Sequence, residues 1–366
     1  MLLVNAKKIF ALICLLAVPA AALYPRAGYI PEPVIAASPQ SLESYVRANL
    51  PFSEELHSLS VGIRYFGGDR EQNGVFIGEN VLIKNIPEPI HGVVEANNVA
   101  VLEFARELRA RDLPFYFALI PTSAGVLRQF LPNFAETVDQ RHFIESVYNR
   151  MSGRMTTVDV FTPLGANRER YIFYRTENNL TPYGGYYVFE ALARRMRAAD
   201  SPTLSAYSAS YADAPFYGDL YSLAPYQHVM PDRLIFLDYS RRGREYMVTH
   251  TGADGIKVYH TLFPAHLRQP PDVSKAFLGG LSARVDIVST APFSRKLLIF
   301  ADKTAPAYLP FMVNHYSEIT VIDLSWDSVP FGEIEIEDYD QILMAYSVET
   351  YTNHFGTPSR IEWFMG

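Results

Sequence analysis

The chain has 366 residues, of which 49% are hydrophobic and 19% are charged. This is the composition of a globular protein with a large core, and it excludes general disorder. The formal net charge is −7, with 32 basic against 39 acidic side chains. Such a balance gives no electrostatic basis for holding a phosphate backbone, so we expect no nucleic-acid partner.

The N-terminus has the pattern of an export signal. Lys7 and Lys8 precede an apolar run over residues 9–18, and Pro19 and three alanines follow it. These match the basic, apolar and cleavage regions of a secretory signal peptide. The run is shorter than the roughly 20 residues of a spanning helix, although an uncleaved anchor stays open as an alternative. We therefore expect a signal peptide or membrane anchor at residues 1–22, which would be the protein's only contact with a membrane.

This signal pattern predicts an extracytoplasmic protein, secreted or anchored on the outer face of the cytoplasmic membrane. The single cysteine, Cys14, lies inside the run, so the mature chain has no disulfide, as suits an exported bacterial protein with a large core. Prolines that follow predict an extended tether over residues 23–44. We expect a single α/β domain over residues 45–366, with an inserted irregular segment at about 200–275.

The predicted elements alternate between helix and strand. Apolar residues recur at helical spacing from Val93 to Arg111, and Phe115 to Ile120 is a continuous apolar run typical of a strand buried on both faces. A helix is predicted from Pro182 to about Arg197. The later elements are strands at Leu297 to Phe300, Ile319 to Leu324 and Ile342 to Ala345, and a helix at Tyr308 to His315. This order predicts a doubly wound, mostly parallel sheet with helices on both faces.

Six short segments carry a family resemblance. They are NGVFIG at 73–78, LIPT at 119–122, YRTENNLTPYG at 174–184, FYGDLYS at 216–222, FLGG at 277–280 and ADKTA at 301–305. In this order they resemble the elements NNGVYIG, VPT, YRTDHHWTPLG, FYGTLYS, FLGGNH and KDSYA of the DHHW family of exported bacterial proteins. That family is SGNH-hydrolase-like and related to the alginate-type O-acetyltransferases. The resemblance covers roughly residues 45 to 350 and implies an SGNH-like, flavodoxin-like fold.

The departures from the family pattern fall on its catalytic positions. The resemblance implies a serine nucleophile in KDSYA, a base at the second histidine of DHHW and an orienting aspartate. Those positions hold Lys303, Asn179 and Glu177. An amide cannot accept and return a proton, and a protonated lysine does not replace serine in ester hydrolysis. We interpret the chain as a pseudoenzyme with no intact catalytic residue, in which Glu177 and Lys303 form an ion pair.

The resemblance also implies a binding cleft. Its expected residues are Arg175, Asn178, Gly279, Gly280, Asp302 and Thr304. The asparagine and histidine that follow the two glycines in the family are replaced here by Leu281 and Ser282. The expected ligand is cell-envelope polysaccharide, or a membrane acyltransferase partner. No cofactor is expected.

Two other groups of residues are candidates for chemistry, a replacement nucleophile and a histidine cluster. A replacement nucleophile, Ser123 or Ser282 with one of the nine histidines, would make the chain an active esterase or O-acetyltransferase on cell-surface polysaccharide. His250, His260 and His266 are close in sequence, but their spacing matches no familiar ligand pattern. We therefore expect no metal site.

Overall fold

The computed structural model describes residues 52–198, 201–239, 244–252, 255–268, 273–326, 334–353 and 359–364. The expected signal peptide or anchor at 1–22 and the tether at 23–44 lie outside these residues. No helix in the described ranges is long and apolar enough to cross a bilayer. The chain divides into two units, Met1–Asp69 with Pro225–Gln227, and Arg70–Ala224 with His228–Gly366.

The smaller unit contains one described helix, α1 (Ser53–Phe66). Near its end the Arg64 guanidinium pairs with the Asp69 carboxylate at 2.7 Å. Its Tyr65 ring packs against Tyr226, with ring centroids 4.3 Å apart. Aromatic contact therefore joins the two chain segments that make up this unit.

The larger unit contains the remaining elements. Its strands are β1 (Glu71–Gln72), β2 (Val75–Ile77), β3 (Leu82–Lys84), β4 (Phe115–Ile120), β5 (Thr156–Thr157), β6 (Tyr207–Tyr211), β7 (Ile235–Tyr239), β8 (Tyr246–Gly252), β9 (Gly255–Tyr259), β10 (Arg284–Ser289), β11 (Lys296–Ala301), β12 (Glu318–Ile322) and β13 (Gln341–Ser347). Its helices are α2 (His91–Ala110), α3 (Ser123–Val126), α4 (Gln140–Met151), α5 (Phe161–Ala166), α6 (Pro182–Arg195), α7 (Asp219–Leu223), α8 (Ala305–Met312) and α9 (Val348–Asn353).

A mostly parallel sheet of eight strands forms the centre of this unit, in the order β5-β4-β13-β11-β12-β10-β8-β9. The strands from β5 to β12 in this order run parallel, with Ile342 of β13 opposite Phe115 of β4 and Leu298 of β11. β10, β8 and β9 are joined by antiparallel pairing. The predicted α/β fold class is confirmed.

Apolar runs explain the central strands. Every residue of β4 and β13 is buried, as expected for parallel strands covered on both faces. The apolar stripe of α2 packs onto the sheet, where the Phe104 ring lies edge-on to Phe115 at 5.4 Å and to Phe300 at 5.7 Å. Phe189 of α6 stacks on Phe311 of α8 at 5.7 Å. The carboxyl ends of β4, β11 and β13 lead directly into α3, α8 and α9.

Most predicted elements are present within a few residues of their expected bounds. The helix expected from Tyr308 to His315 instead begins at Ala305 and ends at Met312. It begins earlier because Pro306 occupies the first turn, where a missing N–H costs nothing. The segment at about 200–275, expected to be irregular, contains strands: β6 pairs with β7, and β8 and β9 extend the large sheet.

Candidate binding cleft

A cleft of about 430 Å³ lies in the larger unit, lined mainly by the segments 174–182, 216–219, 275–281 and 303–307. It is lined by Glu177, Asn179 and Lys303 together with Gly279 and Gly280. The three positions that the resemblance makes catalytic therefore share one cavity with the Gly-Gly pair. The other lining residues are Tyr174, Leu180, Pro182, Phe216, Tyr217, Gly218, Asp219, Leu234, Lys275, Phe277, Leu281, Pro306 and Ala307.

The other expected cleft residues do not line this cavity. Asp302 is buried, and its carboxylate accepts hydrogen bonds from the backbone N–H groups of Thr304 at 3.0 Å and Ser347 at 2.8 Å. It joins the ends of β11 and β13 instead of facing a ligand. The Arg175 guanidinium lies over the Tyr171 ring, 4.5 Å from its centroid.

A second, narrow pocket holds two of these residues. Asn178 and Thr304 both line it, beside Lys303 and Ser123. Asn178 itself is buried. This pocket shares Asn179, Leu180 and Lys303 with the larger cleft, so Asn178 and Thr304 lie beside that cleft and not in its lining.

Asp232 fixes the loop that carries the Glu177 and Asn179 positions. Its fully buried carboxylate accepts the backbone N–H groups of Arg175 at 2.8 Å and Thr176 at 2.7 Å. It also accepts the Thr176 hydroxyl at 2.5 Å and the Tyr171 hydroxyl. Hydrogen bonds to a carboxylate are stronger than neutral ones. Sequence reasoning missed this residue.

Glu349, at the start of α9, was also missed, and it is the charged centre of the site. Its carboxylate accepts the Lys84 ammonium at 2.5 Å and the Asn178 amide at 2.7 Å, and it lies 3.6 Å from the Lys303 ammonium. Burial alone would raise the pKa of Glu349. Lys303, Lys84 and the Asn178 amide outweigh burial and hold that pKa below its ordinary value.

The expected ion pair between Glu177 and Lys303 is wrong. Within the described residues it is the Glu349 carboxylate that lies within ion-pair distance of the Lys303 ammonium. Glu177 turns to the next loop, where its carboxylate accepts the backbone N–H of Asp219 at 3.0 Å. A Cβ on Gly218 would lie 2.6 Å from the Glu177 side chain, so this close approach requires glycine. The two side chains share the cleft without forming an ion pair.

The pKa of the Glu177 carboxyl group is raised above its ordinary value. Burial raises its pKa, and the Asp219 charge raises it further. The hydrogen bond from the Asp219 N–H and the Lys303 charge oppose this without cancelling it. The cleft therefore gains positive charge as the pH falls through this raised pKa.

The cleft holds no conventional nucleophile and base. None of the described residues that line it is a serine, threonine, cysteine or histidine. The Asn179 amide donates to the Lys303 backbone carbonyl at 3.0 Å, and its side-chain oxygen accepts the Leu180 N–H at 2.8 Å. The amide N–H thus joins this loop to the loop that carries Lys303, and the amide oxygen stabilises its own loop.

A serine and a histidine do meet elsewhere. The Ser282 hydroxyl lies 3.1 Å from His250 Nδ1, and His250 Nε2 lies 2.7 Å from the Leu278 carbonyl. Because a carbonyl only accepts, neutral His250 carries its proton on Nε2 and turns the Nδ1 lone pair to Ser282. Burial lowers the pKa of His250. Ser123 is buried. No described cluster of three or more acidic, cysteine or histidine side chains could hold a metal ion.

Solved structures share this architecture. A DHHW family protein from Eubacterium siraeum aligns with a TM-score of 0.66 and 22% identity, over 79% of this chain and 96% of that chain. This chain has the fold of a DHHW family protein. Bacillus cereus PatB1, in a structure with a sulfonyl adduct, aligns with a TM-score of 0.62 and 14% identity over 78% of this chain and 96% of that one. A second PatB1 structure gives a TM-score of 0.61 and 14% identity, over 76% and 97%.

Other comparisons find nothing. No family model matches the sequence. No curated protein matches it either. The resemblance carried by the six sequence segments is thus confirmed at the level of the fold.

Proposed function

We propose that this chain is a non-catalytic extracytoplasmic protein that binds cell-envelope glycan in a cleft of the O-acetyltransferase type. One observation carries the proposal: no described residue lining the cleft is a serine, threonine, cysteine or histidine. Acyl transfer by this kind of fold needs a nucleophile with a base in hydrogen-bond reach. The N-terminal signal pattern supports the extracytoplasmic location.

The substituted positions do not supply a new acyl-transfer mechanism. Asn179 cannot act as a base, and its amide is committed to the Lys303 carbonyl. Lys303 would form an acyl-lysine, which is an amide and does not turn over as an ester does. Among the described residues that share the cleft with Glu177, none is a serine, threonine or cysteine, and the side-chain hydroxyls there are the phenols of Tyr174 and Tyr217. Binding without turnover is therefore the function that these groups support best.

The cleft walls suit a sugar chain. Tyr174, Phe216, Tyr217 and Phe277 line it, and Tyr217 is exposed and stacks on Tyr221 with ring centroids 3.9 Å apart. Aromatic faces pack against the C–H faces of sugars, while a few charged groups fix the orientation of a ligand. A membrane acyltransferase is the alternative partner, and it would present the glycan to this cleft.

Two assays on the full chain test the proposal. Hydrolysis of short acyl esters should not exceed the buffer blank. Binding of N-acetylglucosamine oligomers should weaken several-fold in Tyr217→Ala, because an aromatic contact contributes about 0.5–1.5 kcal/mol. Tyr211→Ala is the matched control, since Tyr211 is exposed and lies outside the cleft lining. Ester turnover, or equal binding by Tyr217→Ala and the parent, would contradict the proposal.

An active esterase or O-acetyltransferase is the second candidate, because Ser282 and His250 are in contact. Two features weigh against it. Ser282 does not line the cleft, and its hydroxyl has the Arg284 carbonyl at 2.7 Å as a second acceptor. Hydrolysis that Ser282→Ala abolishes would establish this candidate and remove the first.

A further inference from the structure

We propose a second binding site, for a segment of anionic glycan polymer, in a groove lined by three arginines. The groove has a volume of about 700 Å³ and runs along α3, α4 and α5. Arg128, Arg141 and Arg168 line it, together with Asp139 and Phe161. It shares no lining residue with the cleft described above.

The lining of the groove carries more basic than acidic side chains, although the chain as a whole is acidic. Three guanidinium groups line it against one carboxylate, in a protein of net charge −7. The side chains of Arg128, Arg141 and Arg168 are 57%, 52% and 57% exposed, so a ligand can reach them. A guanidinium presents five donors in a planar fork that fits the oxygen atoms of carboxylate and phosphate groups.

The acidic neighbours of these arginines leave room for a ligand. Arg128 lies 3.4 Å from Asp139, Arg141 lies 3.8 Å from Glu145, and Arg168 lies 3.4 Å from Glu169. Solvent-exposed pairs of this kind contribute little free energy, and each uses only part of one guanidinium. A polyanion that binds here therefore replaces weak ion pairs within the protein by ion pairs between its own anionic groups and several arginines.

An aromatic ring holds the Arg141 side chain in position. Its guanidinium lies over the Phe161 ring, 4.3 Å from the centroid. This cation–π contact holds the group against the groove wall. A side chain that is already ordered loses less entropy when a ligand binds.

The groove is open next to these groups. A Cβ on Gly165 would meet no atom within 4 Å, so ligand atoms can approach the backbone of α5 there. The three arginines come from separate segments of the chain, and a ligand that contacts all of them carries more than one negative group. A concave groove fits an extended polymer segment better than the flat surface of a membrane.

Binding to labelled oligomers at low ionic strength tests this site on the full chain. The probes are an oligogalacturonate, which carries carboxylates, and an oligomer of glycerol phosphate. Arg128→Gln with Arg168→Gln should weaken binding at least about tenfold, as expected for lost hydrogen bonds to charged groups. Gly165→Gln keeps every arginine and adds a side chain to the groove lining, so it should weaken binding similarly. Arg106→Gln, an exposed arginine paired with Glu107, should leave binding unchanged.

The outcomes separate this site from the cleft. Loss of binding in both groove variants, with Tyr217→Ala binding as the parent does, supports the groove, and the preferred oligomer identifies carboxylate or phosphate as the ligand group. The two groove variants change charge and shape separately, so misfolding of one leaves the other as the test. Absence of binding, binding that both groove variants retain, loss of binding in Tyr217→Ala, or binding only to anionic vesicles or single-stranded DNA would each overturn the proposal.

Discussion

Substitution of Glu349 by glutamine tests the charged centre of the site. The change preserves the shape of the side chain and an oxygen that can accept the Asn178 amide. It removes the negative charge that faces Lys84 at 2.5 Å and Lys303 at 3.6 Å. The two lysines then lack the charge that compensates them.

The loss of stability expected for Glu349→Gln lies between the values typical of buried and of exposed ion pairs. Removing one partner of a buried pair costs about 3–5 kcal/mol, whereas exposed pairs contribute about 0–1 kcal/mol. The Glu349 side chain is only 10% exposed, but those of Lys84 and Lys303 are 38% and 52% exposed. Water screens both lysines, so we expect the free energy of unfolding to fall by about 1–3 kcal/mol.

Double-mutant cycles divide this cost between the two lysines. Coupling of Glu349→Gln with Lys84→Met should exceed coupling with Lys303→Met, because Lys84 is both closer and less exposed. Glu177→Gln with Lys303→Met is the control, and its coupling should be smaller than that of Glu349 with Lys303. Urea unfolding at neutral pH measures all of these free energies.

The pH dependence of stability tests independently whether ionised Glu349 stabilises the fold. The pKa of Glu349 is lower in the folded state, so its stabilisation is present above the unfolded value of about 4.3 and is lost as the pH falls through the folded pKa. The parent and Glu349→Gln should therefore converge in acid. Equal stability of the two proteins at neutral pH, or a difference that does not narrow in acid, would refute the account of this network.

Three further substitutions test the surroundings of the cleft. Because the pKa of Glu177 is raised in the folded state, the stability of the parent falls as the pH rises from about 4.3 through the folded pKa. Glu177→Gln should therefore be more stable than the parent at pH 7 and should lose that advantage in acid. Urea unfolding at both pH values measures the difference. Asp232→Asn places an amide among four donors and should lower the free energy of unfolding by at least about 2 kcal/mol, and an unchanged urea midpoint would contradict this. Gly185→Ala would bring a Cβ to 1.9 Å from the Ala307 carbonyl oxygen and should cost about 1–3 kcal/mol or more by thermal unfolding. Gly92→Ala, where nothing lies within 4 Å, is the helical control and should be neutral or slightly stabilising.

Local patterns in the sequence were enough for the framework of the fold. A continuous apolar run predicted β4 with its observed bounds, and helical periodicity predicted α2, because each signal lies within one element. The antiparallel strands β8 and β9 were missed, since polar residues and glycines interrupt their short apolar runs. β8 also pairs with β10, which lies more than 30 residues further along the chain, and no local pattern predicts that contact.

The residues that organise the site were beyond local reasoning. Asp232 is 56 residues from Thr176, and Glu349 is 171 residues from Asn178. No spacing rule joins such partners. One signal was present for Glu349, because a carboxylate directly after a buried parallel strand lies at the sheet edge where ligands bind in open α/β folds. The family resemblance brought Glu177 and Lys303 into one cleft, but proximity did not identify the partner of each charge.

The groups that shape the cleft differ from those that the resemblance makes catalytic. Asp232 holds the loop before Glu177 through hydrogen bonds to backbone N–H groups, and these do not depend on the side chains at 179 and 303. Glu349 compensates the charge of Lys303 from outside the cleft lining. The cleft can therefore persist without acyl-transfer chemistry. By the same reasoning, Lys303→Ser alone would preserve the cleft and create no catalyst, because the Asn179 amide would still donate to the backbone carbonyl at 303 and no described lining residue is a histidine.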